Sequence, residues 1–80
     1  MHLNQLWVFY HVAKHKSFSR AAEALCLSQP SVSNQVKLFE DSYGLKLFER
    51  FAKKIELTGT GELLYSYAER IFSLTQEADS

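Results

Sequence analysis

Apolar side chains recur along this chain with two different periods. Leu3, Leu6, Phe9, Tyr10 and Ala13 are spaced by threes and fours, which predicts a helix over residues 4–15 with one apolar stripe. The polar tract Lys14-His15-Lys16-Ser17 ends it. Ala21, Ala22 and Leu25 give the next, short helix a small, close-packing inner face, with Ser19 as its expected N-cap. Cys26-Leu27-Ser28 reads as a turn. Ser28 then caps a third helix over residues 29–43, with Pro30 in the first turn, where a missing N–H costs nothing. Val32, Val36 and Phe39, at i, i+4 and i+7, form its buried stripe, and Gly44 is placed for the left-handed residue that ends it.

The period then changes. Residues 45–50 read as extended, Phe51-Ala52-Lys53-Lys54 as a short basic loop, and Ile55-Glu56-Leu57 alternates in and out as a half-buried strand does. Two short strands with a basic tip make a wing. Thr58 caps a last helix, about residues 59–77, whose first turn Gly59 and Gly61 weaken. Leu64, Ala68, Ile71 and Leu74 or Thr75 form one stripe of that helix, with Leu63, Tyr67 and Arg70 beside it and Tyr65, Phe72 and Ala78 elsewhere. Apolar surface wider than one face implies cover on more than one side. One side suits the first helix, and Leu63, Leu64, Tyr67, Ala68, Ile71 and Leu74 suit a symmetry mate in a homodimer. The expected fold is mainly α: a winged helix-turn-helix of three helices and a short two-stranded wing over residues 1–58, followed by a long helix over residues 59–80.

Size and composition restrict the possibilities. Eighty residues make one domain at most, with a modest core. A hydrophobic share of 46% and an aromatic share of 14% belong to a globular chain and not to a disordered tail. The longest apolar runs are far too short to span a bilayer, and no basic region followed by a long apolar stretch opens the chain. A lone Cys26 makes no intrachain disulfide, so a reducing cytoplasm is the expected home; its turn position suggests a small buried residue. The formal net charge is zero but unevenly spread. Residues 1–58 hold eight basic and five acidic side chains, a net +3, and residues 59–80 hold one basic and four acidic, a net −3. Such polarity orients a domain on a phosphate surface.

The candidate chemistry is recognition. Gln29, Ser31, Ser33 and Asn34 point outward at the start of the third helix, and short or amide side chains there both donate and accept hydrogen bonds. A helix presenting them is what the DNA major groove accepts. Helix pairs joined by a short turn also occur without a nucleic-acid partner; tiny alanines, a capped helix and exposed amides together favour double-stranded DNA. An enzyme is not expected: no Ser/His/acid constellation, phosphate-cradling glycine loop or CxxC pair is present. His11 and His15 have a spacing a metal can use but lack the usual glutamate between them and a third ligand, so neither metal nor cofactor is expected. The alternative is a protein-interaction module, with the winged helix as scaffold and the apolar last helix as contact surface.

The chain also resembles the N-terminal winged helix-turn-helix domain of LysR-type transcriptional regulators. The likeness rests on Leu3-Asn4-Gln5-Leu6 and Phe9, S-F-S-R-A-A at 17–22, L-S-Q-P-S-V-S at 27–33, Gln35, Gly44, L-F-E-R at 47–50, Leu57-Thr58 and Gly61. It covers essentially the whole chain in register. The resemblance implies base reading by Gln29, Pro30, Ser31, Ser33 and Asn34. It implies backbone contacts from Ser19, Arg20, Ser28, Lys37, Arg50, Lys53 and Lys54. It also implies pairing of two domains through the last, linker helix. A C-terminal sensor domain would follow residue 80, so the chain reads as an excised domain, and a small-molecule effector would act only through that missing part. Asn34 stands where the family usually has arginine, and Leu38 where it often has a basic residue.

Overall fold

The computed structural model describes the backbone of residues 2–79 and the side-chain surroundings of residues 2–73. Its elements run α1 (Leu3–His15), α2 (Phe18–Leu25), α3 (Gln29–Tyr43), β1 (Phe48–Arg50), β2 (Ile55–Leu57) and α4 (Gly59–Asp79). The order and type of the expected elements are those observed.

Local chemistry sets the helix boundaries. Ser17, not Ser19, caps α2: its hydroxyl accepts the Arg20 N–H at 3.1 Å, and Ser19 lies inside the helix. Phe18 is buried against Phe48 at 5.7 Å between ring centroids, and this draws the helix start one residue after Ser17. Both α2 and α3 end in the same wrap. Cys26 is left-handed (φ 57°) while Leu27 N–H reaches back to the Ala22 carbonyl, and Gly44 is left-handed (φ 62°) while Leu45 N–H reaches the Glu40 carbonyl. Cys26 is exposed in this position and not buried as expected from the turn. Ser28 accepts the Ser31 N–H at 3.2 Å, which caps α3 as expected.

The wing is an antiparallel hairpin with Phe48 opposite Leu57, Glu49 opposite Glu56 and Arg50 opposite Ile55. Phe51 N–H donates to the Lys54 carbonyl at 2.8 Å, leaving Ala52 and Lys53 as a two-residue loop. Leu47, just before β1, joins three elements. Its side chain is fully buried, its N–H donates to the Glu40 carboxylate of α3 at 2.8 Å, and its carbonyl accepts the Thr58 N–H at 3.0 Å. Thr58 also caps α4, its hydroxyl accepting the Gly61 N–H at 3.0 Å and donating to the Lys46 carbonyl at 2.6 Å. A Cβ at Gly61 would overlap the Leu47 carbonyl oxygen, so this glycine permits close approach of α4. It does more than weaken the first turn.

One core joins all three helices of the winged unit to α4. Phe9 at its centre meets Phe39 of α3 and Phe48 of β1 at 6.3 and 5.4 Å. Leu6, Val8, Val12, Ala13, Val32 and Val36 surround it, and Leu3, expected in the α1 stripe, is instead exposed at the helix start. Along α4, Ala68 and Phe72 are buried. Tyr65 stacks on Tyr10 at 5.5 Å, and Phe72 meets Trp7 edge-on at 4.7 Å. The face of α4 that meets α1 therefore runs through Leu64, Tyr65, Ala68 and Phe72.

Both ring nitrogens of His11 are buried without a hydrogen-bond partner among the described residues. The ring packs against the Trp7 indole at 4.3 Å and stacks on His15 at 5.7 Å. Burial first, then the charges of His15 and Lys14, hold its pKa below the ordinary imidazole value of 6.5. The unfolded chain thus binds this proton more readily than the folded one. The neutral-His11 contribution to stability is fully present above pH 6.5 and is lost as pH falls below it towards the folded-state pKa. Melting temperatures measured from pH 8 to pH 5 are expected to fall below about 6.5 in the parent. His11→Leu is expected to fall less steeply; an equal slope in both would remove His11 as the cause.

Candidate nucleic-acid interface

Val32, Val36 and Phe39 are buried to 0–2% exposure and pin one face of α3 to the core. The opposite face is thereby turned outward. Gln29, Pro30, Asn34 and Lys37 are exposed on it, and Ser31 and Ser33 are half-buried. Gln29 Nε2 donates to Ser33 Oγ at 3.0 Å, one helical turn on, so two of the candidate base-reading groups are already tied together. Ser28 is exposed but its hydroxyl is engaged as the cap. Lys37 pairs with Asp41 at 3.7 Å, and both side chains are more than half exposed, so the pair is weak and easily exchanged. Leu38 adds an exposed apolar side chain on the same helix.

Ser19 and Arg20 stand exposed in the first turn of α2. Arg50 leaves β1 to lie over the Phe18 ring at 4.4 Å, which ties the wing to α2 through a cation–π contact. Lys53 is exposed at the hairpin tip. Lys54 pairs with Glu56 at 3.1 Å and sits 5.7 Å from the Phe51 ring. Glu40 fixes the wing relative to α3, accepting the N–H groups of both Leu47 and Phe48. This positioning role was not legible locally, because Glu40 reads as one more polar residue on an exposed helix face. A groove of about 530 Å³ between the end of α1 and the wing is lined by Ala13, Lys16, Phe48, Lys54 and Glu62, and it gathers none of the base-reading candidates.

The expected pairing residues of α4 divide between two faces. Leu63, Tyr67 and Ile71, at i, i+4 and i+8, are 61, 53 and 42% exposed. Ala68 is fully buried, and Leu64 is half-buried against the same core. The Leu74 side chain lies outside the described residues. Among the described residues no cluster of three metal-ligating side chains forms, and no helix is long and apolar enough to cross a membrane.

Three helices, a hairpin wing behind the second and third, and a long closing helix define a winged helix-turn-helix domain. The family model described as bacterial regulatory helix-turn-helix protein, lysR family, matches residues 3–62, and the chain belongs to that family. Membership makes it a regulatory domain and not an enzyme. It is 48% identical over 77 residues to the RuBisCO operon transcriptional regulator of Allochromatium vinosum. It is 47% identical over 77 residues to the HTH-type transcriptional regulator CfxR of Cupriavidus necator. These alignments cover 96% of this chain and 26 and 24% of the relatives, so the chain spans about a quarter of their length. Among solved structures, the BenM DNA-binding domain in complex with catB site 1 DNA superposes with a TM-score of 0.90 at 33% identity, covering 98% of this chain and 88% of that one. The CbnR DNA-binding domain–DNA complex gives 0.86 at 34% identity, covering 99 and 91%.

Proposed function

We propose that this chain is the DNA-reading domain of a LysR-type transcriptional regulator, acting as a homodimer on an interrupted inverted repeat. The observation that carries the reading is the outward N-terminal half of α3. It is a capped helix end with polar side chains from Gln29 to Asn34, held rigid by a buried apolar stripe. Likeness at one-third identity to two domains solved on DNA supports it. In this reading α3 enters the major groove. Gln29 and Asn34 present amides to adenine, Pro30 and Ser31 give apolar contact to thymine methyls, and Ser33 completes the polar row. Ser19, Arg20, Ser28, Lys37, Arg50, Lys53 and Lys54 meet the backbone, with the wing beside the groove. The exposed line begun by Leu63 and Tyr67 on α4 packs on its symmetry mate, so residues 59–80 serve as the pairing helix and residues 1–58 as the reading unit. Regulation by a small molecule belongs to the longer protein.

Selection of bound duplexes from a random pool at moderate salt tests the reading. Enrichment of an interrupted inverted repeat is expected; a lone half-site would overturn pairing, and retention insensitive to salt would favour a protein-interaction module instead. Gln29→Ala is expected to cost about 1–3 kcal/mol on the enriched site and almost nothing on random DNA. Equal losses on both would contradict base reading. Replacing Lys53 and Lys54 together by alanine is expected to weaken both kinds of DNA and to flatten the salt slope by about two. Tyr67→Glu is expected to shift sedimentation of the free domain from dimer to monomer while leaving its helical signal intact; an unchanged dimer would place the interface elsewhere.

A further inference from the structure

Gln29 opens α3 with an amide that is already tethered. Its Nε2 donates to Ser33 Oγ at 3.0 Å. The two ends of this bond are held very differently. Ser33 is half-buried, and it follows Val32 and precedes Val36, which are 0 and 1% exposed, so the turn that carries it is pinned to the core. Gln29 is exposed, and its longer side chain turns about three bonds. The fixed partner is therefore the serine, and the bond restrains the glutamine. Asn34, exposed on the same surface, has no such tether: among the described residues its amide makes no hydrogen bond.

The tether has a chemical consequence. A primary amide carries two N–H donors and one carbonyl acceptor. Using one N–H on Ser33 leaves Gln29 a single donor and its carbonyl oxygen. That is the pair adenine takes in the major groove, where N7 accepts and the N6 amino group donates. Guanine offers two acceptors there, N7 and O6, so an amide with its carbonyl outward sets one oxygen against another. Reading guanine requires the amide to turn its NH2 group outward, and turning it over breaks the bond to Ser33.

We propose that Ser33 is a positioning residue: it holds the Gln29 amide with one N–H and the carbonyl outward, and so makes Gln29 select adenine over guanine. This rests on the DNA-reading function proposed above and assigns one determinant of its specificity. Ser33 needs no base contact of its own in this role, because its oxygen acts through Gln29. The amide is ordered before DNA arrives, so the ordering of a flexible side chain does not fall on the binding step. Asn34 lacks a tether, and its own discrimination is independent of Ser33.

The test uses the duplex enriched by selection from a random pool. The base pair read by Gln29 is the one whose replacement ceases to matter in Gln29→Ala. Adenine is expected there, and guanine would overturn the assigned edge. Ser33→Ala is expected to weaken binding to this duplex about two- to tenfold, the scale of one side chain left to be ordered on binding, with random DNA bound as before. Preference for adenine over guanine at that pair is expected to fall by a similar factor, and discrimination at the other pairs to stay as in the parent. In a Gln29→Ala background, Ser33→Ala is expected to weaken binding no further. A full additive loss there would show that Ser33 meets DNA itself and would overturn the positioning role. In spectra of the free domain, the two Gln29 side-chain amide proton resonances are expected to lie further apart in the parent than in Ser33→Ala; identical positions would overturn the tether. Alanine is the better helix former, so Ser33→Ala is expected to melt no lower than the parent. A Ser33→Ala domain with unchanged affinity and base preference would overturn the inference and leave DNA reading intact. Failure of the parent domain to bind any duplex would overturn both.

Discussion

The placement of the wing and of α4 relative to α3 depends on the backbone of Leu47. Its N–H is held by a carboxylate from α3, its carbonyl receives the first N–H of the α4 cap, and its side chain is sealed in the core. α3, the wing and the start of α4, which already share one core, are thereby also tied by hydrogen bonds at one residue. The Glu40 carboxylate is the sensitive part, since it satisfies two backbone donors at once in a part-buried place. Losing it would leave both N–H groups unpaired and free the wing to move relative to α3, so a residue outside the proposed contact set governs the geometry of that set. Gly61 is the steric counterpart of this joint: only the absence of a side chain lets α4 begin directly on the Leu47 carbonyl.

The second constraint is the aromatic seam between α1 and α4. Trp7 and Tyr10 on one helix meet Tyr65 and Phe72 on the other at ring separations of 4.7–5.5 Å. That seam decides which way α4 turns its surfaces. With Ala68 closing the gap between the helices, Leu63 and Tyr67 are directed away from the core. A long helix with apolar residues on two sides thus serves two packings, one within the chain and one left for a further surface, as its width of apolar pattern implies. His11 sits at the edge of the seam, its ring nitrogens buried without a hydrogen-bond partner among the described residues.

Features set by local chemistry were legible from the amino-acid pattern, and those set by distant contacts were not. The caps at Ser28, Gly44 and Thr58, the Val32–Val36–Phe39 stripe and the two-stranded wing all follow from neighbours within one turn or one hairpin. Ser17 and Ser19 are equally good caps by type, and the choice between them was made by burial of Phe18 against Phe48, thirty positions apart in sequence but adjacent in space. Gly61 reads locally as a weak helix residue because the carbonyl it accommodates belongs to another element. Ala68 reads as part of an outward stripe because periodicity defines a stripe and not its direction; its burial in the core supplies the direction. The outward row Gln29–Asn34 was legible because its opposite face was. The engagement of Gln29 with Ser33 and of Arg50 with Phe18 required coordinates.

Charge explains why pairing matters to the proposed function. The chain is neutral overall, and several cations of the candidate interface already have partners: Lys37 with Asp41, Lys54 with Glu56, Arg50 with the Phe18 ring. These contacts are exposed and individually weak, so phosphates can replace them, but each replacement returns only the difference between two interactions. Asn34 and Leu38 add no positive charge to α3. One copy therefore has little electrostatic hold on a duplex, and its discrimination rests on neutral polar groups that act only at close range. In the proposed dimer, two copies joined through α4 would change this balance without any new contact to DNA, because binding of the first half-site would place the second domain at high effective concentration over its own. In the proposed dimer the exposed apolar line on α4 and the weak charge of the reading face act together: one copy alone would bind too weakly to be trapped on random sequence, and correct spacing of two half-sites would be the condition for holding on.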